Sequence, residues 1–186
     1  MPSPLMQQLT ADHRNFAVFL EILESQADRL EAGERTDLEI CEVILSYLQR
    51  YGDQCHHPRE DLLYTALREK DAVAAQRSAE LGREHEAIHR ATQEALAVVR
   101  RGADGEAVDA LSVAKLLLSF SSRYRLHFEA ENAHLFPVAV DVLSPTDWAR
   151  IEKMASIMTG AERALHIQDR FVALRDYIHR IDRLNP

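Results

Sequence analysis

Apolar residues recur at spacings of three and four along almost the whole chain, and no stretch alternates with a period of two. This spacing places them on one side of a helix. The first segment shows the pattern in Leu5, Leu9, Phe16, Leu20, Leu23, Ala27 and Leu30. Ser3 can cap this helix, Pro4 suits its first turn and Gly33 follows its end, so we predict a helix over Pro4–Ala32.

The same spacing predicts further helices. A second helix begins at a capping box formed by Thr36 and Glu39 and runs to about Glu69, and Pro58 inside it predicts a kink. Later helices are expected at about residues 72–101 and 106–136, with a bend or end at Pro137. A C-terminal helical region starts at Ser144-Pro145 and is expected to break near Gly160, before a last helix over about 161–183.

Helices joined by short connections, with no strand pattern, predict an all-α fold. We expect an antiparallel up-down four-helix bundle formed by residues 1–141. Residues 142–186 are expected to form a helical extension packed on that bundle. A chain of 186 residues, 46% hydrophobic, can bury a core of this kind.

Composition excludes several classes of function. The net charge is −8, and no stripe of Lys and Arg with interleaved aromatic residues suggests a nucleic-acid surface. No apolar run approaches the roughly 18 residues needed to cross a bilayer. The N-terminus shows no signal peptide, and Cys41 and Cys55 would lie about 21 Å apart on one helix, too far to pair. A cytoplasmic location is therefore expected.

One helical pattern, His-x-x-x-Glu, occurs twice. His56 is followed by Glu60, and His127 is followed by Glu131. Residues four apart lie on one face of a helix, so each pair presents an imidazole and a carboxylate together. Both pairs continue apolar stripes, where a carboxylate is costly unless it is paired or coordinated.

Three further histidines lie on the inward faces of other helices. His13 interrupts the apolar face of the first helix, and His85 and His89 are four residues apart on the third. Singly, such residues are more often core or solvated histidines than ligands. Their coincidence on four helices predicts a metal cluster formed by His13, His56, Glu60, His85, His89, His127 and Glu131.

The doublet His56-His57 leaves two registers open for the first pair. Periodicity places His56 and Glu60 on the core stripe, and His57 and Asp61 on the solvated face. Because Pro58 can rotate the helix by part of a turn, periodicity alone does not decide between them. We favour His56 with Glu60.

A mixed set of imidazoles and carboxylates favours iron, with manganese or zinc as alternatives. Five histidines, two bridging carboxylates and a shared oxo or hydroxo group would leave one position open on a pair of octahedral ions. That position suits O2 or NO. Carboxylate-rich di-iron sites use four carboxylates, and two carboxylates favour reversible binding over hard oxidation chemistry.

The chain resembles the hemerythrin-like (HHE cation-binding) family. The resemblance rests on DH at residues 12–13, HHPRED at 56–61, EHEAIH at 84–89 and HFEAENAHLFP at 127–137, and it spans about residues 5–140. It implies a non-haem di-iron centre held by the seven residues named above.

Three kinds of function remain open at this point. The first is a di-iron protein that binds O2 or NO for sensing, storage or detoxification. The second is an enzyme acting on peroxide or NO, or an iron donor for cluster repair. The third is an interaction protein with a structural metal. The sequence identifies neither a protein partner nor the oligomeric state.

Overall fold

Helices account for almost all of the chain that a computed structural model describes, namely residues 3–159, 172–174 and 176–177, and these residues include no strand. The helices are α1 Pro4–Glu31, α2 Leu38–Tyr51, α3 His57–Arg68, α4 Ala72–Ala103, α5 Ala110–Ala130, α6 Phe136–Val142 and α7 Pro145–Thr159. Two π-helical turns, Gly52–His56 and Glu131–Leu135, join α2 to α3 and α5 to α6. The predicted all-α fold is confirmed, and no helix in the described ranges could cross a membrane.

Aspartates set the starts of two helices where the sequence pattern suggested other residues. The Asp37 side chain caps α2 by accepting a hydrogen bond from the backbone N–H three residues on. The Thr36 hydroxyl donates to the backbone carbonyl of Glu34 instead, so the predicted capping box does not form. Asp109 caps α5 in the same way, and α5 therefore begins later than the predicted position near Glu106. The Ser3 cap of α1 is confirmed.

The core of the bundle consists of two apolar clusters with a polar layer between them. On α1, Leu9 belongs to one cluster and Phe16 to the other, with His13 between them. On α4, Leu81 and Ile88 flank His85 in the same way. Four helical rods form the bundle, namely α1, α2 with α3, α4, and α5 with α6. Because α1 packs against α2 and α5, and α4 packs against α2, α3 and α5, their polar residues meet at one level.

Each π turn comes just before a proline. Pro58 follows the first turn by two residues, and Pro137 follows the second by two. A proline lacks an N–H and its ring clashes with the preceding turn. The chain accommodates each proline by forming a wider turn before it. In the first of these turns, the N–H of His57 bonds to the carbonyl of Gly52, five residues back. A π turn holds one residue more than an α turn, and the first one brings Cys55, His56 and His57 into the interior together.

Helix α7 packs on the bundle next to α3. Ser144 and Asp147 hydrogen bond to each other's backbone N–H, which confirms the predicted start of this helix. Its buried face joins the apolar cluster that contains Leu63, through Trp148, Ile151 and Ala155.

The predicted break near Gly160 lies outside the described residues. So does the last predicted helix over 161–183, except for residues 172–174 and 176–177, which are helical. Leu174 packs against the cluster that contains Phe16.

The close packing at Gly52 gives a first prediction. A Cβ atom at this position would lie 2.9 Å from the Tyr124 hydroxyl and 3.5 Å from Cε1 of His57, and both side chains are buried and cannot move away. We expect Gly52→Ala to lower the free energy of unfolding of the metal-free protein by about 1–3 kcal/mol, measured by urea denaturation.

Gly82→Ala is the matched control, because Gly82 also lies within a helical segment and a Cβ there would meet only the flexible end of Arg68, at 3.7 Å. We expect it to be neutral or to stabilise the protein by up to about 1 kcal/mol. Equal effects of the two substitutions would contradict the crowding at Gly52.

Candidate metal centre

Seven histidine and glutamate residues from four helical rods converge in the polar layer. None of these seven residues is more than 8% exposed. They are His13 of α1, His56 of the first π turn, His57 and Glu60 of α3, His85 of α4, His127 of α5 and Glu131 of the second π turn.

The cluster has two halves that share Glu60. In the three-histidine half, ligand atoms of His57, Glu60, His85 and His127 all lie within 4.8 Å of one another. In the two-histidine half, the same holds for His13, His56 and Glu60. The arrangement thus offers two sets of nitrogen and oxygen donors side by side.

Both carboxylates face histidines of both halves. Glu60 Oε1 lies 3.0 Å from Nε2 of His56, and its Oε2 lies 3.4 Å from Nε2 of His85. Glu131 Oε2 lies 3.3 Å from Nε2 of His13 and 3.6 Å from Nε2 of His127. Each carboxylate therefore has the position of a bridge between the two halves.

The outer nitrogen, Nδ1, of every histidine in the cluster faces a side-chain oxygen. These oxygens accept a hydrogen bond, so Nδ1 carries the proton in the neutral ring. The lone pair of Nε2, on the inner side, is then free to bind a metal. The pairs are His13 with Asn132 at 3.1 Å, His56 with Asp12 at 3.2 Å, His57 with Asp53 at 3.7 Å, His85 with Asp61 at 3.2 Å and His127 with Glu84 at 3.0 Å. Histidines that bind metals are oriented in this way.

Several inner polar atoms are buried without a hydrogen bond among the described residues. They include Nε2 of His57, His85 and His127, and Oε2 of Glu60 and Glu131. Buried polar atoms are nearly always satisfied in folded proteins. Because these orphaned atoms are also the donor types that bind iron or zinc, the residues present fit a metal.

The pKa values of His13, His56 and His85 are raised in the metal-free protein. Burial opposes protonation of His13, but the Glu131 and Glu60 carboxylates outweigh it and raise its pKa to about 10. Burial likewise opposes protonation of His85, and Asp61 and Glu60 raise its pKa to about 10. Protons on these two rings balance the buried carboxylates when no metal is bound.

The environment of His57 is different. Burial dominates and lowers the pKa of His57 to about 4, with only partial compensation from Asp53. Glu60 is ionised in spite of its burial, because the charge of His56 and hydrogen bonds from neighbouring histidines hold its pKa well below the usual range. The cluster thus combines a neutral imidazole and an ionised carboxylate, which are the forms that bind metals.

Two tyrosines lie against the cluster. The Tyr64 hydroxyl donates a hydrogen bond to Oε1 of Glu131 and thereby orients that carboxylate. The Tyr124 hydroxyl is buried next to His57 and has no hydrogen bond within the described part of the chain. Neither tyrosine was predicted, because their hydroxyls reach the site only through the packing of different helices.

Comparison with known proteins agrees with this geometry. Residues 5–139 match the family described as the hemerythrin HHE cation binding domain. The chain belongs to that family. No curated protein matches the sequence. Membership of the hemerythrin family implies cation binding, with iron as the expected ion, and the histidine and glutamate groups of this chain could hold a metal.

The structure brings together six of the seven residues predicted to bind metal, and His89 lies outside the cluster. The His89 ring is 44% exposed, and its Nδ1 lies 2.5 Å from Oδ2 of Asp53. His57, which periodicity assigned to the solvated face, is buried in the cluster together with His56. The physical reason is the π turn before His57, which changes the helical register that periodicity assumes.

The positions of His57 and His89 give a second prediction. We expect His57→Ala to reduce bound metal, because it removes a donor from the three-histidine half. We expect His89→Ala to leave metal content unchanged, because His89 is 44% exposed and contacts Asp53, which lies on the outer side of His57. Metal content per chain after reconstitution and gel filtration measures both. Loss of metal in the His89 variant with retention in the His57 variant would reverse this assignment.

The protonation of His13 and His85 gives a third prediction. Since their pKa values are raised to about 10, both rings are protonated near neutral pH and must release protons to bind a metal. The apparent affinity for Zn²⁺ should therefore rise with pH between about pH 6 and 8, by about tenfold per unit for each proton released. Calorimetry in buffers of different ionisation enthalpy measures this release. A binding enthalpy that is independent of the buffer would contradict it.

Proposed function

We propose that this hemerythrin-family chain is a non-haem di-iron protein that reversibly binds a small exogenous ligand, O2 or NO. One iron would be held by His57, His85 and His127, and the other by His13 and His56. Glu60 and Glu131 would bridge them. The observation that carries the proposal is that each buried carboxylate faces histidines of both halves.

The two halves differ in the number of histidines that they offer. The half with His13 and His56 has one imidazole fewer, so it offers the place for an exogenous ligand if both irons have the same coordination number. A cavity of about 530 Å³ adjoins His13 on this side, with walls that include Met6, Phe128 and Phe136. Apolar walls suit a small neutral molecule such as O2 or NO.

The protein's own residues would fix the orientation of the side chains at this site. Asn132 and Asp12 hold the His13 and His56 rings with Nε2 directed inward. Tyr64 holds Glu131 by its hydrogen bond, and rings of Phe128 and Phe136 stack on His13. Bound iron would supply the electrons for ligand binding. The imidazole-rich donor set favours reversible binding, and an enzyme acting on peroxide or NO is the alternative.

The test is anaerobic loading of metal-free protein with Fe²⁺, followed by iron analysis and visible spectroscopy before and after exposure to NO, O2 or peroxide. We expect about two irons per chain and a ligand adduct that disappears when the gas is removed. No more than one tightly bound iron would contradict the di-iron site. Many turnovers with peroxide or NO would favour the enzyme.

A matched pair of variants tests the bridging role of Glu131. Glu131→Gln should lower metal affinity by about tenfold or more, because it removes one of the two buried anionic donors. Glu129→Gln is the control, since Glu129 lies two residues earlier, in the last turn of α5, and is exposed. Equal losses in the two variants would show that Glu131 is not a ligand.

A further inference from the structure

Two cavities lead from the protein surface to the cluster, and they reach opposite halves of it. One adjoins His13, as described above. The other has a volume of about 310 Å³ and is lined by His57 and His85 of the three-histidine half. It is also lined by the carboxylates of Asp53, Asp61 and Glu86, and we name this second cavity the acidic mouth.

The two cavities differ in charge. The cavity at His13 is walled mainly by apolar and aromatic side chains, and its charged lining residues are both cations, Arg14 and the protonated His13. The acidic mouth has three carboxylates against two cations, the guanidinium of Arg90 and the protonated ring of His85. A cleft lined by charges of one sign raises the local concentration of the opposite ion and speeds its association.

Side chains that can bind a metal extend from the acidic mouth to the cluster. Glu86 is 78% exposed at the rim, and its nearest ion pair, with Arg90, is a loose one of 3.8 Å. Behind it, Asp61 and Asp53 contact Nδ1 of His85 and His57. The Nε2 atoms of these two rings are buried and form no hydrogen bond with any described residue, although that of His85 lies 3.4 Å from Oε2 of Glu60. The side chains of the acidic mouth therefore lead directly to the nitrogen atoms of the cluster.

We propose that divalent metal ions reach the cluster through the acidic mouth, and that Glu86 steers them there. This inference rests on the metal site put forward under Proposed function. It separates the path of the metal ion from the apolar cavity at His13, where a cation would lose its water among aromatic rings beside Arg14.

The test is the rate at which metal-free protein takes up Co²⁺ at low ionic strength, followed by stopped-flow visible absorption. We expect Glu86→Lys to slow uptake by about tenfold and Glu86→Gln to slow it less, with the final stoichiometry unchanged. Added salt should slow uptake by the wild type and narrow these differences. Glu129→Lys is the matched control, since it makes the same charge change at an exposed position that lines neither cavity.

A second variant tests the other route. Val140 lines the cavity at His13 and is 49% exposed, so Val140→Trp should obstruct that cavity without altering Co²⁺ uptake. Slow uptake in Val140→Trp with normal uptake in Glu86→Lys would overturn the proposal. Equal slowing by Glu86→Lys and Glu129→Lys would also overturn it, by showing an effect of net charge alone. Wild-type protein that binds no Co²⁺ would overturn the metal site itself and this route with it.

Discussion

Two carboxylates with no exposed surface, Glu60 and Glu131, impose the constraint on which the rest of the structure depends. Removing an ionised carboxylate from water costs several kcal/mol unless its charge is balanced where it lies. Five imidazoles surround the pair, and in the absence of a metal, protons on His13 and His85 provide the balance. Well-packed apolar residues would usually serve stability as well or better. The cost of this layer is therefore an argument for a role in binding.

The polar layer also explains the two π turns. An α-helical register can present one residue per turn to a given point, yet the three-histidine half and the two-histidine half need adjacent residues, His57 and His56, from the same helical rod. The π turn that ends at His56, just before Pro58, allows both His56 and His57 to point into the cluster. In the other rod, the π turn begins at Glu131, so the α-helical spacing of His127 and Glu131 is kept. π turns are common at functional sites.

Much of this architecture could be predicted from the sequence, because apolar spacing and helix caps are local signals. The limits of α1 followed from Ser3 and Gly33, and the start of α7 followed from Ser144. The placement of His57 could not be predicted, since periodicity assumes an unbroken α-helix and a π turn violates it. The exposure of His89 and the partners of the Nδ1 atoms could not be predicted either, because they depend on how separate helices pack. Which of these residues bind metal remains a prediction.

The hydrogen bonds on the outer side of the histidines connect the helices in a closed circuit. His56 joins its rod to α1 through Asp12, and His13 joins α1 to the second π turn through Asn132. His127 joins α5 to α4 through Glu84, and His85 joins α4 back to α3 through Asp61. These hydrogen bonds form a ring around the bundle, which links each helix to its neighbour at the level of the cluster. A displacement of one ring is therefore passed to a neighbouring helix, so substitutions at these pairs should not be additive.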